Sequence, residues 1–168
     1  IPSRGNHLRR RMCVKVNALG AGAPLRIPFS GRSGIFYLYY YMKKLIICDW
    51  NRTLYDPDNN CLFPDTLPFL EGLKNNILFL VSTNELNTSV PSKNPLISRY
   101  FKKIIVGQPK TKRLFLNIKK EFPTLEAWVV GDRIGSEIKA GNQAGCITIR
   151  IKQGKFSSEA PLDNSEIP

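Results

Sequence analysis

The chain has 168 residues, 42% hydrophobic and 23% charged, which suits one soluble globular domain with length enough to bury a core and excludes a disordered chain. Its 25 Lys and Arg exceed its 13 Asp and Glu for a formal charge of +12, while a single histidine, His7, argues against a Ser-His-Asp triad, a Cys–His pair or a His-based zinc site. No stretch reaches the about 18 apolar residues of a membrane span, and the four cysteines (Cys13, Cys48, Cys61, Cys146) lack CxxC spacing, so they read as reduced thiols of a cytoplasmic protein without a membrane partner.

The first 41 residues stand apart. They carry Arg4, Arg9, Arg10, Arg11, Lys15, Arg26 and Arg32 with no acid, whereas the remainder nets only +5. Residues 1–33 show neither helical nor alternating periodicity and read as loop or disorder. At Met42 the text turns abruptly to Met-Lys-Lys and a β-branched run. We take Met42 as the native start and residues 1–41 as a basic extension read through from upstream, with residues 42–168 as the folded domain. An organelle transit peptide or a nucleic-acid-binding arm is less favoured, because no amphipathic helix is visible.

From there apolar runs alternate with helical spacing. Leu45–Cys48 reads as a buried strand. Asp65 can cap a helix through Leu67, Leu70 and Leu73 that ends at Asn75-Asn76. Ile77–Val81 is a second strand, followed by Pro- and Ser-rich text and a short helix near Leu96–Tyr100. Lys103–Val106 is a third strand. Thr111 to Glu121 has helical spacing, Ala127–Val130 is a fourth strand, and Ile134 to Ala144 a helix with Gly145 at its left-handed C-terminus. Cys146–Ile151 is a fifth strand. Such alternation predicts an α/β fold with a five-stranded parallel sheet covered on both faces. In such sheets ligands bind beyond the carboxyl ends of the strands.

The residues at those ends are Asp49-Trp50-Asn51-Arg52-Thr53, Ser82-Thr83-Asn84, Pro109-Lys110-Thr111-Lys112 and Gly131-Asp132 leading to Glu137. Gathered at one edge, they supply three carboxylates, hydroxyls and a lysine. Clustered carboxylate oxygens suit a hard divalent cation such as Mg²⁺. A lysine and a hydroxyl suit a phosphoryl group, and a carboxylate beside it can attack to form an acyl phosphate. Each residue also has a plainer reading: Asp49 as a cap, Asp132 as a turn residue, Thr83 as an N-cap, Glu137 as a first-turn residue and the lysines as solvated charges. It is their order that favours the functional one.

In that order the motifs resemble the haloacid dehalogenase-like superfamily, from roughly Met42 to Lys155. The resemblance implies a three-layer Rossmann-like fold and a Mg²⁺-dependent phosphatase, with Asp49 as nucleophile and metal ligand. The Asn51 carbonyl, Asp132 and Glu137 would complete the metal site. Thr83, with Ser82 as second choice, would bind the phosphoryl group. Lys110, with Lys112 as second choice, would neutralise it, and Asn84 and Arg52 would contact substrate. The gaps between motifs hold no cap domain, so the implied site is open and its partner is a phosphorylated substrate of any size. Polar text after Ile151 reads as the edge of a truncated fragment.

One departure bears on activity. The family's general acid/base position is Asn51, whose amide cannot relay a proton. That loss bears on a step typically worth about 10²–10⁴-fold. A non-catalytic phosphate- or anion-binding module of the same fold is therefore the alternative reading.

Overall fold

The computed structural model describes residues 15–17, 43–83 and 95–168. The expectations for Met42 and Asn84, and those for residues 1–41 other than 15–17, lie outside them. Six strands form one sheet: β1 (Lys15–Asn17), β2 (Leu45–Asp49), β5 (Ile77–Ser82), β6 (Lys103–Val106), β7 (Ala127–Gly131) and β8 (Ile147–Arg150). A separate hairpin pairs β3 (Tyr55–Asp56) with β4 (Cys61–Leu62). The helices are α1 (Thr66–Gly72), α2 (Pro95–Ser98), α3 (Lys112–Lys120) and α4 (Lys139–Gln143), the last entered through a π-helical turn at Ile134–Ile138.

The sheet order is β1-β8-β7-β2-β5-β6. Strands β8, β7, β2, β5 and β6 are all parallel, as the sequence predicts, while β1 runs antiparallel to β8. The chain first winds from β2 through β5 to β6, then crosses back to β7 on the other side of β2. That reversal opens a crevice beyond the carboxyl end of β2. The strand at Lys15–Asn17 corrects the expectation of irregular chain there: it satisfies the backbone groups along the free edge of β8.

Period-two alternation sorts the strand residues to two faces. Ile46, Cys48, Leu78, Leu80 and Val130 pack with Leu70 of α1 and Ile97 of α2. Leu45, Ile47, Phe79, Val81 and Val129 pack with Phe115 and Ile118 of α3 and Ala140 of α4. The result is three layers, and each fully buried Leu, Ile or Phe contributes ~1.5–3 kcal/mol. Asp49, two residues beyond Ile47, projects on the α3/α4 face at the end of β2.

Local details depart from expectation. Asp65 occupies the N-cap position of α1, but its side chain makes no capping hydrogen bond. Thr66 Oγ1 instead donates to Leu54 O at 2.5 Å, tying the helix to the hairpin. The hairpin itself was not anticipated. Its turn is set by Asp56, which accepts from the backbone of Asp58 (2.9 Å) and Asn59 (3.3 Å). Residues after Ile151 return to the domain: Asn142 Nδ2 donates to Ser165 O (2.8 Å) and Ile167 O (2.7 Å), and Glu166 pairs with Lys139 at 2.9 Å. Among the described residues no helix is long and apolar enough to cross a membrane.

Helix α4 lies so close to the sheet that only glycine fits at Gly141. An added Cβ would stand 2.8 Å from Thr148 Cγ2 and 3.2 Å from Val129. Gly141→Ala should therefore destabilise the protein by about 1–3 kcal/mol through overpacking, against the roughly 1 kcal/mol that alanine gains in a helix. Urea unfolding measures the net effect, and a stabilised variant would contradict the close approach.

Candidate active site

Parallel register brings the polar strand ends together. Asp49 pairs with Val81 across β2 and β5, and Cys48 pairs with Val130 across β2 and β7. Asp132 thus emerges beside Asp49 on the neighbouring strand. Glu137 returns to the same place through the π-helical turn, in which Ile138 N donates five residues back to Arg133 O at 3.3 Å. A wider turn of this kind suits the five-residue spacing between Asp132 and Glu137 better than an α-helical turn. Glu137 also folds directly over Gly131: a Cβ there would lie 2.7 Å from Glu137 Cβ and Cγ. The backbone N–H of Arg133 donates to Glu137 Oε2 at 3.3 Å.

Asp49, Asp132 and Glu137 are 4%, 2% and 2% exposed, and each offers an oxygen within 4.8 Å of the others. Lys110 arrives on the loop between β6 and α3, and its buried ammonium bridges Asp49 Oδ1 and Glu137 Oε1. Thr53 Oγ1 donates to Asp49 Oδ2 at 3.1 Å. The Asp49 carboxylate is thereby held at both oxygens.

Three carboxylates around one ammonium would carry an excess charge of −2 if all were ionised, and burial opposes that state. Burial, and then Glu137, push Asp49 up to about 6 despite Lys110. Burial, then the charges of Asp49 and Glu137, push Asp132 up to about 7. For Lys110, burial works against the ammonium, but the charges of and hydrogen bonds to Asp49 and Glu137 outweigh it and the net shift is upward. Next to Asp49, the Cys48 thiol is raised to about 12, by burial and then by the Asp49 charge, which disqualifies it as a nucleophile.

Two buried oxygens, Asp132 Oδ2 and Asn51 Oδ1, have no hydrogen-bond partner. An orphaned carboxylate oxygen on Asp132, within a cluster of three acids, fits a hard divalent cation held by oxygen ligands. Asp49, Asp132 and Glu137 are the described residues that fit it, and Asn51 follows Asp49 by two positions.

The remaining candidates are placed differently. Ser82 ends β5 and is buried, whereas Thr83 follows it, exposed, at the carboxyl edge and with no side-chain hydrogen bond among the described residues. Lys112 is exposed in the first turn of α3, and it is Lys110 that pairs with the carboxylates. Arg52 points to Asp58, at 3.2 Å, and to the ring of Phe156. It adopts φ 61°, an uncommon left-handed conformation for a side-chain-bearing residue. Gln153 holds it there: its Nε2 donates to Arg52 O (2.8 Å) and Thr53 O (3.0 Å). Glu159 accepts from Ile134 N at 2.6 Å and fixes the start of the π-helical turn. Gln153 and Glu159 lie in polar text that carries no motif, and only their contacts reveal them.

Comparison with known proteins agrees with this architecture. A family model described as HAD-hydrolase-like matches residues 106–167, the stretch that carries Lys110, Asp132 and Glu137. A glyceraldehyde 3-phosphate phosphatase of Methanopyrus kandleri is 38% identical over 53 residues, which is 32% of this chain and 21% of that protein. The chain thus spans about a fifth of the length of this curated relative. Among solved structures, a hydrolase from Streptococcus pneumoniae TIGR4 superposes with a TM-score of 0.54 at 16% identity, covering 63% of this chain and 91% of that one. A 2-haloacid dehalogenase from Pseudomonas syringae pv. Tomato DC3000 gives 0.51 at 14% identity, covering 64% and 85%. The resemblance to the haloacid dehalogenase-like superfamily read from the motifs is present in the fold as well.

Raised carboxyl pKa values make the site sensitive to pH. Asp49 and Asp132 hold protons more tightly in the folded protein than in the unfolded chain, where each titrates near 3.8. Their contribution to stability is full below about pH 4 and is lost as pH rises through 6 and 7. A divalent cation bound by these carboxylates would replace those protons. Added MgCl₂ should therefore raise the melting temperature more at pH 8 than at pH 5, as read by circular dichroism. An equal rise at both values, or none, would mean that the carboxylates do not take up the ion.

Proposed function

We propose that this chain is a Mg²⁺-dependent phosphatase of the haloacid dehalogenase-like type that works through an aspartyl phosphate on Asp49. The observation that carries the reading is the buried cluster of Asp49, Asp132 and Glu137, two of which, Asp49 and Glu137, pair with the Lys110 ammonium. When bound, Mg²⁺ supplies positive charge that lets an anionic phosphoryl group approach a carboxylate.

The chain's own groups do the rest. Thr53 and Lys110 each take one oxygen of the Asp49 carboxylate, so its rotation is fixed before substrate arrives. Asp49 attacks phosphorus: an oxygen–phosphorus bond forms on the carboxylate, and the ester bond to the leaving oxygen breaks. Lys110 balances negative charge on the phosphoryl oxygens. Water then attacks the acyl phosphate, inorganic phosphate leaves, and Asp49 is regenerated. Thr83, at the exposed carboxyl edge of β5, is the hydroxyl assigned to the phosphoryl group in this scheme.

Asn51 sets the substrate preference. Its amide cannot protonate a departing alkoxide, so esters whose leaving oxygen is already acidic, such as aryl phosphates, should turn over first. The same residue favours a second reading, in which the fold binds a phosphate without hydrolysing it. The discriminating experiment is hydrolysis of 4-nitrophenyl phosphate with and without Mg²⁺. The phosphatase reading expects turnover that requires the ion and disappears in Asp49→Asn. It further expects Asn51→Asp to raise kcat on an alkyl phosphate by about 10²–10⁴-fold. Turnover that survives Asp49→Asn would remove the proposed nucleophile. Absence of turnover in the native chain, with its appearance in Asn51→Asp, would select the binding module.

A further inference from the structure

Beside the carboxylates lies a second, oppositely charged feature that the scheme above does not use. Arg52 is three residues beyond Asp49, and Arg133 directly follows Asp132. Both therefore sit in loops at the carboxyl ends of adjacent strands, β2 and β7. A short helical turn at Gly154–Phe156, arriving from β8, brings the Phe156 ring within reach of both. The Arg133 guanidinium lies 4.6 Å, the Lys155 ammonium 5.0 Å and the Arg52 guanidinium 5.7 Å from the ring centroid. Three cations thus share one aromatic ring.

The arrangement is built rather than incidental. Gly154 has φ +65°, which favours glycine, and a Cβ there would come within 3.2 Å of Arg52 Cδ, so the turn packs closely on the Arg52 stem. Arg150, buried beneath, donates from Nη2 to Phe156 O at 2.8 Å and fixes the turn. Gln153, one residue before the turn, pins the Arg52 carbonyl. Of these three cations only Arg52 has an acidic partner among the described residues, Asp58; Arg133 and Lys155 form no ion pair there. Gathering like charges around one ring costs energy unless an anion joins them. Contact with the ring leaves the nitrogen donors of both unpaired cations available.

We propose that Arg52, Arg133 and Lys155 form a cationic rim that binds a second anionic group of the substrate, selecting phosphomonoesters that also carry a carboxylate or a further phosphate. This rests on the phosphatase reading of the adjoining carboxylates. The reacting phosphoryl group lies at Asp49 and Lys110, and the remote anion lies on the rim. Phe156 is the positioning residue that holds the three cations together.

The test uses non-hydrolysable probes, so that binding is read apart from turnover. Phenylphosphonate and 4-carboxyphenylphosphonate are titrated into the full chain with Mg²⁺ by isothermal calorimetry, at low and high salt. The rim predicts about tenfold tighter binding of the carboxylated probe at low salt, an advantage that high salt erases. Arg133→Gln combined with Lys155→Gln should abolish the preference, and Phe156→Leu should reduce it. Equal affinity for the two probes, binding of neither, or a preference that persists in the double variant overturns the proposal. A preference for the carboxylated probe without any hydrolysis of phenyl phosphate would uphold the rim and sink the phosphatase reading.

Discussion

The buried ammonium of Lys110, shared by Asp49 and Glu137, is the contact on which the site depends. It joins the loop before α3 to the end of β2 and to the π-helical turn after β7. An ion pair removed from water is costly, and losing one partner from such a pair typically costs ~3–5 kcal/mol because the other charge is stranded. Here the balance is incomplete even with the lysine present, since Asp132 adds a third carboxylate with an unpartnered oxygen. The fold therefore maintains an electrostatic deficit at one point. A protein that needed only stability would replace these groups with apolar ones. Their retention at a strand-end crevice is the physical argument for a ligand of opposite charge.

Backbone geometry decides which acids can meet there. The parallel register sets Asp49 and Asp132 on adjacent central strands, but Glu137 reaches them only because two local conditions hold. Gly131 has no side chain where Glu137 must pass. The turn that follows has π-helical geometry, which carries a residue five positions on back to the strand end. Glu159 and Arg133 N–H then fix the turn and the carboxylate. Gln153 does similar work at the loop after Asp49, stabilising the left-handed Arg52 and, with it, the orientation of Thr53. The end of the chain thus braces the site assembled by its middle.

Much of this architecture was legible in the amino-acid sequence, for a simple reason. Strands buried on both faces are written as continuous apolar runs, and Leu45–Cys48, Ile77–Val81 and Ala127–Val130 each lie within an observed strand. Once the strands are known, the position of ligands in a parallel sheet follows, so Asp49, Asp132 and the stretch holding Lys110 and Lys112 could be singled out without coordinates, while the preference for Lys110 came from the family resemblance. The rest depends on contacts that sequence does not encode locally. The hairpin at Tyr55–Leu62 has strands of only two residues, too short for alternation to show. The edge strand at Lys15–Asn17 is defined by its partner β8 rather than by its own composition. Arg52 reads in the sequence as a donor to substrate, but its contacts with Asp58 and the Phe156 ring appear only in the fold. Phe156, Gln153 and Glu159 belong to polar text without a pattern, and acquire roles only when the chain folds back.

The two unusual features of the cleft are connected in the proposed chemistry. With an amide at Asn51, proton transfer to the leaving group is not available to lower the barrier. Other sources of rate remain: charge neutralisation at the phosphoryl group and restriction of the substrate to a reactive orientation. A cationic rim that grips a remote anion provides the second. Binding energy from a part of the substrate that does not react can be directed into positioning the part that does, provided the two are rigidly connected. The packing of Phe156, Gly154 and Arg52 supplies that rigidity on the protein side, because each cation is held against one ring instead of waving in solvent. On this view Asn51 and the rim are complementary: the loss of a proton relay raises the value of precise substrate placement, and the residues around Phe156 are arranged to deliver it.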